Sequence, residues 1–196
     1  MAADTSIPID SIAPVDTFEG PLAASDRWRA FVGRNPFAAA TVAGLIATQM
    51  ATLVGYYFIG VGLPQTPWPL FNGILVAPQT AYGTVASYFA GQSIHMVDAV
   101  VFTILYAVLV YGRLPLPNTV GGDIVKGIIY GEVLGLISMG FLVPYVYAPK
   151  QGFGLFSFYG PNTWKLPLSI ALWHLTYGFL VGTLYSPIRA RQSRVS

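Results

Sequence analysis

One stretch of the chain carries no charged residue over a length that a water-soluble fold does not tolerate. No Asp, Glu, Lys or Arg occurs from Asn35 to Val97, a run of 63 residues. In the whole chain 9% of residues are charged and 54% are apolar, whereas soluble domains carry roughly 25% charged residues. A surface this poor in charge cannot be hydrated, so the sequence predicts an integral membrane protein whose first partner is the lipid bilayer.

The composition also excludes several kinds of chemistry. The net charge is +2 and the ten basic residues are scattered, which argues against nucleic acid as a partner. The chain has no cysteine, so disulfides, thiolate metal sites, Fe–S clusters and a thiol nucleophile are excluded. Gly121-Gly122 lacks the Lys-Ser/Thr ending of a phosphate-binding loop. The protein is therefore expected to be non-catalytic.

Four apolar stretches are long enough to cross a bilayer, which takes about 20 residues as a helix. They run from Phe37 to Gly62, Gly91 to Tyr111, Val125 to Tyr145 and Pro167 to Tyr185. The predicted fold is an all-α membrane protein with a four-helix transmembrane bundle over residues 37–187. The apolar stretch 67–90 is interrupted by prolines and glycines, and we interpret it as a re-entrant or interfacial segment.

The basic residues predict the orientation of the bundle. With four spans, both termini and the middle loop share one side of the membrane, and that side would hold eight of the ten: Arg27, Arg29, Arg34, Arg113, Lys126, Arg189, Arg191 and Arg194. The other side would hold Lys150 and Lys165. This asymmetry predicts that both termini lie in the cytoplasm, and it places Trp68 and Trp164 near the outer interface.

The two ends of the chain differ from the bundle. Residues 1–36 are predicted to form a cytoplasmic N-terminal arm, and residues 188–196 a basic cytoplasmic tail. From Ala2 to Leu22 the arm contains three prolines and four acidic residues but no basic residue. It is either a disordered tail or a segment that becomes ordered along a partner subunit.

The bundle contains an internal repeat. The stretch from Val42 to Leu53 matches the stretch from Val125 to Leu136, and His95 and His174 are each followed by Ala or Gly at +4 and by Leu-Tyr at +10 and +11. Duplication of a helical hairpin explains these matches, with repeat one at about 37–113 and repeat two at about 119–187. Two-span units run in the same direction, as parallel repeats. Chance similarity between apolar helices is the alternative.

The paired units carry a resemblance to a known type of protein. The first helix carries the motif G-x-I-A-T-x-x-A-T-L from Gly44, and the next helix carries H-x-x-x-[AG] and ends in Leu-Tyr. This combination resembles a group of small, uncharacterised bacterial four-helix inner-membrane proteins with a duplicated hairpin. The resemblance covers residues 41–187. It implies an inner-membrane bundle and no particular activity.

Four ionisable residues fall inside the predicted spans, where such residues are functional candidates. At 1.5 Å per residue, His95 and His174 lie about 27 and 22 Å from the cytoplasmic boundary, so they share a depth. They are candidate ligands for haem b, another metal or the magnesium of bacteriochlorophyll. Alternatively, each imidazole forms a hydrogen bond to a neighbouring helix. Asp98 is either a partner that orients His95 or part of a simple buried pair with it.

The fourth ionisable residue, Glu132, is predicted to lie about 9 Å from the cytoplasmic boundary, too far from the histidines to share their site. It stands where repeat one has Gln49. It is a candidate proton-relay site, or else a buried carboxyl that is hydrogen-bonded to a neighbour.

Three functions remain open at this point. The first is a non-catalytic accessory subunit that supports the assembly or stability of a larger membrane complex, in particular a respiratory or photosynthetic electron-transfer complex. The second is a subunit that carries haem, a metal or a pigment on His95 and His174. The third is a small oligomeric transporter or channel, which the repeat and Glu132 favour.

Overall fold

The computed structural model describes residues 23–77, 81, 83–151 and 163–188. These residues are almost entirely helical, and no strand occurs among them. The arm up to Leu22, the loop at 152–162 and the tail from Arg189 lie outside the described residues. Predictions that concern those segments stay predictions.

The described chain forms seven α-helices, two of which continue as π-helix and one as a 3₁₀ turn. The α-helices are α1 (Ala24–Arg34), α2 (Pro36–Tyr57), α3 (Trp68–Val76), α4 (Val85–Leu105), α5 (Val120–Ile137), α6 (Ala148–Gln151) and α7 (Lys165–Leu184). The 3₁₀ turn Phe58–Val61 follows α2, and the π-helical stretches Tyr106–Val110 and Ser138–Tyr147 follow α4 and α5.

Local sequence explains several of these boundaries. The Thr84 and Thr119 hydroxyls accept hydrogen bonds from the backbone N–H groups of Ser87 and Gly122, which caps α4 and α5. Pro144 lies inside the second π-helical stretch. Because proline lacks an N–H and its ring clashes with the preceding turn, the regular α-helical pattern cannot continue through it.

Four helical segments are long and apolar enough to span a membrane, in agreement with the sequence prediction. They cover Pro36–Val61, Val85–Val110, Val120–Tyr147 and Lys165–Leu184. Large apolar side chains are exposed along their outer faces, among them Ile46, Met50, Val101, Ile129, Val133 and Phe179. Exposing this apolar surface to water would be unfavourable in free energy, whereas lipid tails solvate it. The protein is therefore an all-α membrane protein with four transmembrane helices.

The packing of the four spans follows the predicted repeat. Within repeat one, a Cβ on Gly44 of α2 would collide with the Ala99 carbonyl and the Thr103 side chain of α4. Within repeat two, a Cβ on Gly127 of α5 would collide with Gly178 and Gly182 of α7. The sequence alignment makes these two sets equivalent, so the two hairpins cross at corresponding positions.

The hairpins join unevenly. α2 packs against both α4 and α7, and α5 packs against α7, while direct contacts between α4 and α5 are few. The spatial order of the spans is thus α4, α2, α7, α5. The open side between α4 and α5 is closed near one end, where the Tyr130 hydroxyl donates a hydrogen bond to the Phe102 carbonyl.

The two ends of the described chain meet at that same end of the bundle, which we name the α1 end. The Trp28 indole donates a hydrogen bond to the Leu184 carbonyl, and Arg29 donates one to the Ser186 carbonyl. The backbone N–H of Ile188 donates to the Arg29 carbonyl. Helix α1 and residues 184–188 therefore lie at the same end of the bundle, and the cytoplasmic placement of the two termini stays a prediction. Helix α1 itself was not predicted, since residues 1–36 were taken together as an arm.

Helix α3 is re-entrant. Its first residue, Trp68, contacts Trp173 and His174 near the middle of α7, whereas Gly73 packs against Ser87 at the start of α4. The chain therefore descends from the end of α2 into the bundle and rises again as α3, toward the end opposite α1, which we name the α3 end. The sequence prediction that Trp68 belongs to an interfacial belt is wrong, because this descent buries it in the interior.

The close approach of α5 and α7 gives the first prediction. Gly127→Ala should lower the free energy of unfolding by about 1–3 kcal/mol, because the added methyl group meets backbone rather than a movable side chain. Unfolding of the detergent-solubilised protein, followed by tryptophan fluorescence, measures the change.

Gly121→Ala on the same helix is the matched control, since a Cβ there has nothing within 4 Å. It should be neutral or stabilising by about 0.5–1 kcal/mol, because alanine favours a helix more than glycine does. Equal effects of the two substitutions would contradict the packing of α5 on α7.

Candidate functional site

A cavity of about 130 Å³ lies inside the bundle and is the candidate functional site. All four spans and α3 contribute to its wall. The lining residues are Thr48, Trp68, Asn72, His95, Asp98, Ala99, Phe102, Leu134, Ile137, Ser138, Leu142, Tyr147, Trp173, His174 and Tyr177. A cavity of this size holds a benzene-sized molecule, and it is smaller than the roughly 300–1,000 Å³ of sites for drug-sized ligands.

The cavity opens toward the lipid-facing surface between α4 and α5. Two of its lining residues, Phe102 on α4 and Ile137 on α5, are also 36% and 48% exposed on the outside of the bundle. Direct contacts between these two helices are few. A molecule dissolved in the bilayer can therefore reach the interior from the side, without crossing the bundle lengthwise.

His174 has both ring nitrogens engaged within the protein. Nδ1 lies 2.8 Å from the Ile170 carbonyl, which can only accept, so Nδ1 carries the hydrogen. In the neutral ring Nε2 then accepts a hydrogen bond from the Ser138 hydroxyl at 3.2 Å. The imidazole is fixed in orientation between α7 and the π-helical continuation of α5.

His95 has an equivalent arrangement in the other hairpin. A hydrogen bond of 2.9 Å joins its Nε2 to the Thr52 hydroxyl of α2. Both histidines are buried, both line the cavity, and both contact the ring of Trp173. They therefore share a depth, as the helix arithmetic predicts, and each bonds to its neighbouring helix, which is one of the two alternatives that the sequence left open.

The positions of the histidines do not fit the cofactors considered for them. Trp173 packs against both imidazoles, with ring centroids at 5.8 and 4.9 Å, so an indole already occupies space beside the two rings where a haem bound by both histidines would lie. The cavity is also too small for a tetrapyrrole. Both imidazoles face the interior, so neither reaches a bacteriochlorophyll on the lipid side. Across the described residues, no three His, Asp or Glu side chains converge as metal ligands.

Asp98 has a different partner from the one that the sequence suggested. Its Oδ2 accepts a hydrogen bond of 3.5 Å from the side-chain Nδ2 of Asn72 on α3. The side-chain Oδ1 of Asn72 in turn accepts a hydrogen bond from the Tyr147 hydroxyl. No hydrogen bond between Asp98 and His95 occurs in the described part of the chain. Asp98, three residues after His95, faces α3 because α3 descends beside α4. Helix periodicity in the sequence does not predict this descent.

Glu132 lies outside the site. It is half-buried on α5 between the exposed residues Val133 and Ile129, and it does not line the cavity. The predicted difference in depth between Glu132 and His174 is wrong, because Gly131 and Gly135 on the same helix pack directly against His174. Glu132 is kept out of the site by the direction in which it faces and not by its depth.

Two buried donors in the cavity wall have no partner among the described residues. The indole nitrogens of Trp68 and Trp173 are buried and make no hydrogen bond. Both residues line the cavity, and their rings meet edge to face at 5.9 Å. A buried N–H without an acceptor costs about 1–3 kcal/mol. A Cβ on Gly55 would meet both Trp173 and the Thr66 hydroxyl, so the indole edge of Trp173 faces α2. The sequence analysis missed both roles, since it treated Trp68 as interfacial and did not single out Trp173.

A second polar cluster lies at the α1 end. Asp123 and Lys126 are each 1% exposed and form an ion pair of 3.4 Å. The Asp123 carboxylate also accepts hydrogen bonds from Tyr111 and Ser186, and Lys126 donates one to the Asn118 side chain. Every member of the cluster has a partner within the chain, so it ties α5 to the chain segments that follow α4 and α7. Its role is structural.

Comparisons with known proteins add no family to this description. No family model, curated protein or solved structure matches the chain. The function is therefore inferred from the cavity and its surroundings.

The Asp123–Lys126 pair gives the second prediction. Lys126→Met should lower the free energy of unfolding by about 3–5 kcal/mol, because it leaves a buried carboxylate without its cation. Adding Asp123→Asn to Lys126→Met should recover part of that loss. Denaturation in mixed micelles measures the free energy of unfolding of the unaltered protein and of these variants.

The control for this prediction is an exposed pair. Asp26 and Arg29 approach to 4.0 Å on the surface of α1, so Asp26→Asn should change stability by less than about 1 kcal/mol. If the Lys126→Met/Asp123→Asn double variant loses as much stability as the Lys126→Met and Asp123→Asn single variants added together, the buried pairing is contradicted.

Proposed function

We propose that this protein is a non-catalytic integral membrane subunit that supports the assembly or stability of a larger membrane complex. The host that we propose is a respiratory or photosynthetic electron-transfer complex in a bacterial inner membrane, with both termini of this chain in the cytoplasm. Such complexes gather small membrane subunits without soluble domains around a core that carries the cofactors.

One observation carries the proposal: the polar groups of the bundle interior are used to hold the bundle together. The histidines bond to neighbouring helices, and Asp123 with Lys126 ties the α1 end. These bonds support a scaffold role for the bundle interior.

A transport function has less support. Below the cavity, toward the α1 end, four tyrosine rings pack against one another: Tyr106, Tyr111, Tyr130 and Tyr185. The Thr103 and Tyr177 hydroxyls are also joined by a hydrogen bond of 2.8 Å. These side chains fill the bundle axis, so the cavity has a lateral opening and no passage along the axis toward that end.

Co-purification gives the third prediction. When the full chain is expressed at native level and extracted in a gentle detergent, it should migrate on a native gel with other membrane proteins in fixed stoichiometry. Mass spectrometry of the band identifies those partners. A homogeneous oligomer of this chain alone would contradict the proposal.

A truncation tests how the chain associates. Deleting residues 1–22 leaves α1 and its hydrogen bonds to the end of α7 in place. If the arm docks on a partner, this variant should keep its thermal stability and lose most of the co-purifying material. The matched control is Arg34→Gln, which alters one exposed charge on the retained α1.

A further inference from the structure

We propose that the outer face of α5 around Glu132 is the docking surface for a transmembrane helix of another subunit, and that this helix presents a lysine or arginine side chain to the Glu132 carboxylate. We name this face the Glu132 surface; it consists of Ile129, Glu132, Val133 and Leu136. The inference rests on the proposed function, because it names the face through which the chain joins its complex.

Glu132 lies near the middle of its span. The span covers Val120–Tyr147, so twelve of its residues precede Glu132 and fifteen follow. Gly131 and Gly135 on the same helix pack against His174 in the bundle. Ionisable side chains at such a depth are costly, and almost all of them face a bundle interior or pair with another polar group.

Glu132 instead faces outward and has no partner within the described chain. It is half-buried, and its neighbours on the same face of α5, Ile129, Val133 and Leu136, are exposed. Among the described residues it makes no hydrogen bond and no ion pair. The isolated chain therefore leaves a carboxyl group at the lipid-facing surface in the middle of the bilayer.

The internal repeat shows how a polar group at this position is satisfied. Gln49 is the equivalent of Glu132 in repeat one, and its side-chain amide donates a hydrogen bond of 3.5 Å to the Sδ of Met96 on α4. The alignment of the two histidine helices places Leu175 where repeat one has Met96, and a leucine side chain neither donates nor accepts. Repeat one thus satisfies its polar group within the hairpin, whereas repeat two needs a group from outside.

The charge of Glu132 specifies the kind of partner. A carboxylate that is removed from water is stabilised by an opposite charge that also donates hydrogen bonds. A second copy of this chain does not supply one at this depth. Among the described residues, Lys165 is the first residue of its span, and Lys126 is buried and paired with Asp123. A helix of a different protein, with Lys or Arg near its middle, is the partner that fits.

Removal of the carboxyl group tests the contact. In the full chain at native expression, Glu132→Leu should lower the recovery of the co-purifying subunit about tenfold or more, because it leaves a buried cation on the partner unpaired. The melting temperature of the isolated chain should not fall, since Glu132 makes no bond within it. A lower melting temperature would assign Glu132 a structural role and overturn the inference.

Gln49→Leu is the matched control, because it makes the equivalent change in repeat one, where the amide bonds within the hairpin. This variant should keep the partner. Retention of the partner by Glu132→Leu, or equal losses in the two variants, would overturn the inference.

Photo-cross-linking identifies what covers the surface. A benzophenone amino acid is placed at Val133 or, as a control, at Met50, which is the equivalent exposed position on α2. Cross-linking to another protein should occur at Val133, be weaker at Met50 and be lost when Glu132→Leu is added. Mass spectrometry should place the adduct in a transmembrane helix that contains Lys or Arg. Adducts to a second copy of this chain, to lipid alone or to a helix without a basic residue would overturn the inference.

The proposed function and this inference fail in different ways. If the unaltered chain has no partner in fixed stoichiometry, the proposed function fails and the inference fails with it. If the unaltered chain has a partner that Glu132→Leu also retains, the proposed function stands and the assignment of the Glu132 surface alone is overturned.

Discussion

The approach of α5 to α7 is the contact on which the rest of the bundle depends. Because lipid tails are as apolar as leucine, helices in a membrane associate through packing and hydrogen bonds rather than through the hydrophobic effect. Gly127, Gly131, Gly178 and Gly182 let the two backbones meet directly, and a Cβ at any of them would collide with the opposite helix. This contact fixes His174 beside α5, and α7 in turn supplies the surface on which α2 packs.

The cavity follows from a break in the symmetry of the repeat. A symmetric pair of hairpins would match the α2–α7 contact with an equivalent α5–α4 contact, but only the first is extensive. Re-entrant α3 packs on α4 near the α3 end, and the Tyr130 hydroxyl joins α5 to the Phe102 carbonyl. Between these two positions α4 and α5 stay apart, which leaves the cavity and its opening on that side of the bundle.

The sequence predicts what depends on length and spacing along one helix. The four spans, the shared side of the chain ends and the common depth of His95 and His174 all follow from counting residues. The path of α3, the Asn72 partner of Asp98 and the burial of Trp68 depend on which helices become neighbours. The burial of the Asp123–Lys126 pair also depends on which segments become neighbours, because it requires Tyr111 and Ser186 from other parts of the chain. No periodicity in the sequence carries that information.

The partners of the two histidines show what the repeat has retained. In repeat one, Thr52 bonds to His95, and the next residue on that face of α2 is Gly55. In repeat two the equivalent positions are exchanged, because Gly135 packs against His174 while Ser138, three residues on, bonds to it. Each hairpin keeps one hydroxyl bonded to its imidazole, but only in repeat two does the glycine pack against the histidine, since Gly55 meets Thr66 and Trp173 instead. Since the bond is preserved while its position moves by about one turn, each imidazole is held to the neighbouring helix of its own hairpin.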